Sequence, residues 1–357
     1  MRHMKSISVV LLLAILAPST EVTNFDCRDD GGNPVDLTLF HALRMLAYKL
    51  PQGESTAFMT AGISWKPSTM EADSPIGKTL KQYLDLLPTG GPLMSGKDGV
   101  GIMAYNQHPP LGAMVANVPG RGVLMVPDGR GIWIVHTFPQ FPNLQDDATY
   151  KRPKETNKAG MFVCVKITSG NFGSIVETVT HEAPLVYFLK PPKAGSNGNW
   201  PTKKVEELEK GSTYRVTPYA KATTLQISQT LTLRAFAKLP QAHLDIYSRF
   251  IAVVIKKSLR IWGQGEARYE LPNYCNAVYK VEVLRGKFKL ANTDISNQQD
   301  STVWLVSNGG RVWCVSNIPR LRTYEQYGNG VLCLENIEIY RAFKTLADQT
   351  KSRRCPT

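Results

Sequence analysis

Short apolar runs rich in β-branched residues, each bounded by glycine or proline, recur along the first half of the chain. They are "GVGIMAYNQ" (99–107), "RGVLMVP" (121–127), "GIWIVHTF" (131–138) and "GMFVCVKIT" (160–168). Runs of this length and composition predict four β-strands. Asp128-Gly129 separates the second run from the third, and this dipeptide is typical of a tight β-hairpin.

Two segments have the spacing of helices. In "DLTLFHALRMLAYKL" (36–50), Leu39, Leu43 and Leu46 recur at intervals that place them on one helical face. In "SPIGKTLKQYLDLL" (74–87), Ser74-Pro75 is a favourable start for a helix. Further along, "VEELEKG" and "HLDIYSRFIAVVIKKSLRIW" mix helix and strand signals. Strands and helices that alternate in this way predict an α/β fold with substantial β content.

The polar stretches 143–158 and 191–204 read as loops, and the second lies near the middle of the chain. We therefore predict four parts: a signal peptide (1–19), an N-terminal half (20–190), a connecting loop (191–205) and a C-terminal half (206–357). The stretch "DSTVWLVSNGGRVWCV" (300–315) echoes "RGVLMVPDGRGIWIVH" (121–136), which hints at an internal duplication.

The first nineteen residues have the pattern of a secretory signal. Arg2, His3 and Lys5 form a basic start, an apolar run follows from Ile7 to Ala17, and Ala17 and Ser19 suit cleavage near Ser19. The apolar run is shorter than a bilayer crossing requires. We expect secretion and no membrane partner.

Six cysteines and a basic balance add to this picture. An even cysteine count behind a signal peptide predicts three disulfides in an oxidising compartment, although fifteen pairings are open. No Cys-x-x-Cys occurs, so we expect neither a metal site nor a cofactor. The formal charge is +13, and without Arg2 and Lys5 the chain keeps 40 basic and 29 acidic residues. This excess favours polyanionic partners, but it also fits a secreted protein that is merely basic.

Several motifs in one order resemble a known family, deoxyribonuclease II. They are "NPVD" (33–36), "YKLP" (48–51), "DSPIGKTL" (73–80), "YNQHPP" (105–110), "GIWIVHTFPQFP" (131–142), "FAKL" (236–239), "LDIYSRF" (244–250) and the region from Trp304 to Cys355. The resemblance covers nearly the whole mature chain. The disulfides that it implies are Cys27–Cys164, Cys275–Cys355 and Cys314–Cys333.

The resemblance also implies a fold and a reaction. Family members are similar to phospholipase D enzymes, with two β-rich halves related by a pseudo-twofold that form a clamp for duplex DNA. Each half contributes one His-x-Lys motif to a metal-independent reaction at acid pH. One neutral imidazole attacks phosphorus and a protonated one donates to the leaving oxygen. The lysines offset charge that builds on the phosphoryl oxygens.

This chain departs from both motifs. In the first, Pro119 takes the histidine position and Arg121 the lysine position; in the second, Ser301 and Val303 do so. His136 matches a third active-site histidine of the family, and no other catalytic position is intact. We therefore expect a secreted pseudonuclease, similar to catalytically degenerate paralogues that parasitic nematodes secrete. Asp300 is expected to fix a turn and Trp304 to lie in the core.

Three functional interpretations stay open at this stage. The first is a clamp that binds DNA or another polyanion without cutting it, with contacts drawn from Arg121, His136, Lys203, Lys204, Lys256 and Lys257, and further candidates Arg260, Arg285, Lys287 and Lys289. The second is an active acid nuclease that uses His136 with a replacement nucleophile such as Ser301. The third is an effector with a closed groove that binds host proteins. A homodimer is expected only by analogy with the family. We interpret the remaining histidines as ordinary surface or helix residues: His41, His108, His181 and His243.

Overall fold

Two β-sheets packed through helices make up the fold. The computed structural model describes residues 23–35, 43–59, 64–87, 99–144, 149–154, 157–196, 198–210, 217–227, 232–265, 268–351 and 354–356. The predicted signal peptide and His41 lie outside these ranges. All statements of absence below concern the described residues.

The first sheet has eight strands, all from residues 43–190. The strands are β1 (Leu43–Lys49), β2 (Thr56–Met59), β3 (Lys66–Ser68), β4 (Gly101–Asn106), β5 (Arg121–Val126), β6 (Gly131–His136), β7 (Gly160–Ile167) and β8 (Val186–Lys190). Their order is β3-β2-β1-β7-β6-β5-β4-β8, and neighbouring strands are antiparallel.

The second sheet has seven strands, all from residues 220–335. The strands are β9 (Ala220–Gln226), β10 (Thr232–Lys238), β11 (Ser258–Trp262), β12 (Val281–Val283), β15 (Val303–Asn308), β16 (Val312–Ser316) and β17 (Asn329–Glu335). Their order is β12-β11-β15-β16-β17-β10-β9. A separate hairpin joins β13 (Lys287–Leu290) to β14 (Thr293–Ser296).

Helices cover both faces of each sheet. They are α1 (Pro75–Leu84), α2 (Phe172–His181), α3 (Thr202–Lys210), α4 (Ala252–Ile255), which continues a π-helical turn over Tyr247–Ile251, and α5 (Ile337–Gln349). α1 packs on the outer face of the first sheet and α4 on the outer face of the second. α2 and α5 lie between the sheets in one shared core, so each sheet is buried on both sides.

The strand orders of the two sheets correspond. Read from β4, the first sheet runs β4-β5-β6-β7-β1-β2, and read from β11 the second runs β11-β15-β16-β17-β10-β9. The two hairpins whose sequences echo each other, β5-β6 and β15-β16, occupy the same place in this order. Each sheet also sends a helix into the shared core, α2 after β7 and α5 after β17.

Most local predictions are confirmed. The four predicted strands are β4, β5, β6 and β7, the Asp128-Gly129 hairpin joins β5 to β6, and α1 begins after Ser74, whose hydroxyl accepts the N–H of Gly77 at 3.1 Å. The helix predicted over 36–50 is wrong for residues 43–49, which form β1; residues 36–42 lie outside the described ranges. The predicted loop 191–205 becomes helical at Thr202, where α3 begins.

The three disulfides join the pairs that the resemblance implied. Cys27–Cys164, Cys275–Cys355 and Cys314–Cys333 close separations of 137, 80 and 19 residues. Bridges across such separations each contribute about 2–4 kcal/mol to stability. None of the helices in the described ranges has both the length and the apolar character that a bilayer crossing requires.

Candidate functional site

The two motif regions that the resemblance implies, around Arg121 and Ser301, lie where the halves of the chain are joined by backbone pairing. Asp300 forms a parallel bridge with Ala159, which directly precedes β7. The N–H of Ser301 donates to the carbonyl oxygen of Ala159 at 3.0 Å, and the N–H of Ala159 donates to that of Gln299 at 2.7 Å. We call this region, where β5 and β15 begin and β6 ends, the motif end.

The first motif is partly closed. Pro119 and Gly120 are buried, and Arg121 at the start of β5 is half-buried. One guanidinium nitrogen of Arg121 donates to the carbonyl oxygen of Thr137 and the other to Gln107 Oε1 at 3.3 Å. Burial lowers the pKa of Arg121 to about 10, so it stays charged at neutral pH. Arg121 is thus fixed against its own half of the protein.

His136, the retained histidine, lies inside the protein. It ends β6, is 1% exposed and packs against the rings of Phe138 and Phe141. Its Nδ1 accepts the N–H of Phe138 at 3.2 Å, whereas Nε2 has no hydrogen-bond partner among the described residues. Burial, and secondarily the charge of Arg121, lowers the pKa of His136 to about 3. The imidazole is therefore neutral at pH ~4.5 and above.

At the two substituted positions of the second motif, neither Ser301 nor Val303 is a base or an acid. The hydroxyl of Ser301 donates to the carbonyl oxygen of Ala159 at 2.6 Å, and the nearest other hydroxyl is that of Thr137 at 3.4 Å. Val303 is 1% exposed in the apolar cluster between the second sheet and α4. A serine without an adjacent base is a weak nucleophile, and a buried valine contributes packing alone.

Asp300 anchors a buried hydrogen-bond network beneath the second motif. Its carboxylate accepts the Tyr48 hydroxyl, Trp262 Nε1 at 2.7 Å and the N–H of Thr302 at 2.9 Å. Trp304, fully buried, packs beside Trp262 with ring centroids 6.0 Å apart. Burial raises the pKa of Asp300 to about 6. The turn-fixing and core roles expected for Asp300 and Trp304 agree with these contacts.

The residues predicted to bind a polyanion do not form one surface. Lys203 and Lys204 lie on α3, where Lys204 pairs with Glu177 at 2.6 Å. Lys256 and Lys257 follow α4, and Lys257 lies beside Gly310 in the β15-β16 turn. The six residues of β15 place that turn about 20 Å from Ser301. Neither lysine pair accompanies Arg121 and His136 at the motif end.

The other predicted contacts also differ in accessibility. Arg260 is 7% exposed and pairs with Asp348 at 2.6 Å, so it is not available to a phosphate. Lys287 and Lys289 alternate with buried residues along β13, as an exposed strand does. Of the histidines, His243 is exposed, His108 half-buried and His181, the last residue of α2, buried.

Two buried lysines, Lys49 and Lys238, were not predicted as functional or structural residues from the sequence. Lys49 ends β1 and donates to the carbonyl oxygens of Leu50 and Lys158 at 3.0 and 2.8 Å. Lys238 ends β10, donates to the carbonyl oxygen of Glu325 at 2.8 Å, and burial lowers its pKa to about 8. Lys49 thereby fixes the segment that precedes β7, and Lys238 fixes the segment that precedes β17. The tripeptide Lys-Leu-Pro occurs at 49–51 and at 238–240, and this repetition is the sequence feature that could have predicted the two lysines.

Glu182, also unpredicted, lies where the two halves pack. It follows α2, is 3% exposed and accepts Asn317 Nδ2 from the second half at 2.8 Å. Its carboxylate fills the space beside Gly120 and Gly330, where an added Cβ would meet it at 2.9 and 2.1 Å. Burial raises the pKa of Glu182 to about 8, and the Asn317 hydrogen bond opposes this shift.

The raised pKa of Glu182 predicts a pH-dependent stability. Between pH 4.5, the ordinary pKa of a glutamate, and about pH 8, the Glu182 carboxyl is deprotonated in the unfolded chain but still protonated in the folded chain. Stability contributed by Glu182 therefore falls as pH rises through that window. The free energy of unfolding is measured with urea at pH 5 and at pH 8 for wild type and Glu182→Gln. From pH 5 to pH 8, the variant is expected to become more stable relative to wild type by at least about 1.4 kcal/mol, the equivalent of one pKa unit. Glu335→Gln, at an exposed position, controls for the lost charge, and an equal gain there would contradict the prediction.

No three His, Cys, Asp or Glu side chains of the described ranges come together as metal ligands.

Comparison with known proteins identifies the family of the chain. The family model described as Deoxyribonuclease II matches residues 26–353. The chain belongs to the deoxyribonuclease II family. The family relatives include Deoxyribonuclease-2-alpha of Sus scrofa, 26% identical over 96% of this chain and 94% of its own length.

Other family members are similarly distant. Plancitoxin-1 of Acanthaster planci is 24% identical, with 94% of each chain covered, and Deoxyribonuclease-2-beta of Homo sapiens is 23% identical over 94% of this chain and 92% of its own. The coverage means that family membership concerns the whole α/β architecture, both sheets included. Catalysis by this chain depends on the side chains at four positions, which are Pro119, Arg121, Ser301 and Val303.

Proposed function

We propose that this protein is a secreted, catalytically inactive member of the deoxyribonuclease II family. The observation that carries the proposal is the side-chain chemistry of the motif end. Pro119 and Val303 cannot exchange protons, Ser301 has no base, and His136 is buried and neutral. Catalytic groups of this kind act as a unit, so the loss of two members costs several orders of magnitude in rate.

The retained His136 does not supply an alternative nuclease site. A nucleophilic imidazole must reach phosphorus, but Nε2 is enclosed. A general acid must hold a proton at the working pH, but the pKa of His136 lies near 3. Arg121 can hold a phosphate oxygen electrostatically, but it does not provide a nucleophile.

We further propose that the two halves are related by a pseudo-twofold, as in phospholipase D enzymes. The matched strand orders and the echoed hairpins support this arrangement. Burial of His136 and Val303 at the motif end favours a surface that binds other macromolecules, such as host proteins, over a clamp that encloses duplex DNA. Contacts with DNA then come from the dispersed positive charge and are non-specific. The three disulfides support a secreted protein.

One gel tests both parts of the proposal. Supercoiled plasmid is titrated with mature protein in EDTA at pH ~4.5–7.5, a range that brackets the ordinary histidine pKa, and salt is varied. We expect no nicking and a mobility shift confined to low salt, since non-specific binding weakens steeply with salt. Arg121→Ala is expected to shift DNA as wild type does. Nicking abolished by His136→Ala would overturn the inactive assignment. A shift that persists at physiological salt and is lost in Arg121→Ala would establish a DNA clamp instead.

A further inference from the structure

A cleft beside the C-terminal disulfide lies apart from the motif end. It has a volume of about 870 Å³ and is lined by Pro272, Cys275, Val283, Arg285, Lys351 and Arg354, among others. Its wall forms where the segment after α5 pairs with the segment after β12, through an antiparallel bridge between Arg285 and Lys351. The Cys275–Cys355 disulfide ties this wall to the segment before β12. Volumes of several hundred Å³ are typical of small-molecule sites.

The charged side chains of this cleft are all cationic. Paired residues of an antiparallel bridge project to one side, so Arg285 and Lys351 lie together. Arg354 adds a third charge, and no acidic residue belongs to the lining. Within the described ranges, the side chains of Lys351 and Arg354 form no hydrogen bond or ion pair with protein groups. Their charges face solvent or a ligand.

A buried carboxylate orients Arg285. Arg285 pairs with Glu270, whose side chain is 5% exposed, whereas that of Arg285 is 51% exposed. Glu270 therefore binds the Arg285 guanidinium on the side that faces the protein. The side of the guanidinium that faces solvent stays accessible. A guanidinium fixed in this way is suited to bidentate contacts with tetrahedral oxyanions.

We propose that this cleft binds a small ligand that carries a phosphate or sulfate ester. Arg285, Lys351 and Arg354 contact the ester oxygens, and Pro272, Val283 and the disulfide pack against the uncharged body. The proposal is independent of the inactive assignment, because no residue of the motif end lines the cleft. A nuclease and a pseudonuclease would bind such a ligand equally.

Calorimetric titration of the mature protein tests this site. The probes are glucose 6-phosphate and glucose 6-sulfate, with glucose as the uncharged control, all at constant ionic strength. Wild type is expected to bind at least one ester with a Kd below about 1 mM, and the preferred probe separates phosphate from sulfate chemistry. The double variant Lys351→Ala/Arg354→Ala is expected to weaken that binding about tenfold or more, since it removes two charge-assisted contacts.

Two controls keep the outcome unambiguous. Lys81→Ala removes an exposed lysine from α1 on the opposite side of the fold and is expected to bind within twofold of wild type. Arg285 is left intact, because its removal would leave Glu270 buried without a partner. Binding no stronger than that of glucose, or equal loss in Lys81→Ala, would overturn the proposal.

Discussion

The variant Val303→Lys, which introduces the lysine that the resemblance implies at this position, is expected to unfold more easily than wild type by about 3 kcal/mol or more. Val303 is 1% exposed and belongs to the apolar cluster that also contains Leu305, Phe236 and Ile246. An ammonium group at this place has no carboxylate partner within the apolar cluster, and an unpaired buried charge is strongly destabilising. Urea unfolding at pH 7 measures the effect.

Val253→Lys provides the matched control for this experiment. Val253 lies on α4 and is 52% exposed, so the same chemical change meets water there and is expected to alter stability by no more than about 0.5 kcal/mol. If Val303→Lys were as stable as Val253→Lys, the motif end would be open to solvent. The account of a closed site would then be wrong.

The variant Asp300→Ala is expected to lose about 3 kcal/mol or more of stability. The carboxylate accepts hydrogen bonds from Tyr48, Trp262 and Thr302. Without it, the indole N–H of Trp262 and the backbone N–H of Thr302 lose their acceptor, whereas the Tyr48 hydroxyl keeps the Thr302 hydroxyl at 2.7 Å. An orphaned buried donor costs about 1–3 kcal/mol. Relief from burying the carboxylate, visible in its raised pKa of about 6, offsets part of the loss.

Asp294→Ala is the control, because Asp294 is a half-exposed carboxylate on β14 whose ion pair with Lys287 is at the surface. Such pairs contribute about 0–1 kcal/mol. Both variants are compared by urea unfolding. A loss for Asp300→Ala no larger than for Asp294→Ala would show that the network under the second motif does not stabilise the junction of the halves.

Local sequence patterns predicted the elements that depend on local chemistry. The strands β4 to β7 are bounded by glycine or proline, and α1 begins at a capping serine followed by proline. β1 was mistaken for a helix because Leu43 and Leu46 also fit a helical face. In the fold β1 lies between β2 and β7, its residues from Met45 to Lys49 are buried, and a strand buried on both faces has no alternating pattern.

The motif positions rest on the resemblance, which says nothing about their surroundings. Sequence alone does not report that the Nε2 of His136 is buried without a hydrogen-bond partner among the described residues, or that Ser301 is hydrogen-bonded to Ala159 across 142 positions. Long-range contacts also explain why the predicted polyanion set dispersed. Lys256 and Lys257, for example, follow α4 in the second half of the chain, and Lys257 lies beside Gly310 in the β15-β16 turn, whereas Arg121 begins β5 in the first sheet.

The central claim is that the motif end does not cleave DNA. The most direct test is the rate at which the mature protein nicks supercoiled plasmid in EDTA at pH ~5, beside an equal amount of the porcine Deoxyribonuclease-2-alpha. We predict a rate at least about 10⁴-fold below that of the porcine protein and unchanged in His136→Ala, since a concerted set that lacks its nucleophile and acid retains little activity. A rate within about a hundredfold of the porcine protein that disappears in His136→Ala would contradict the account.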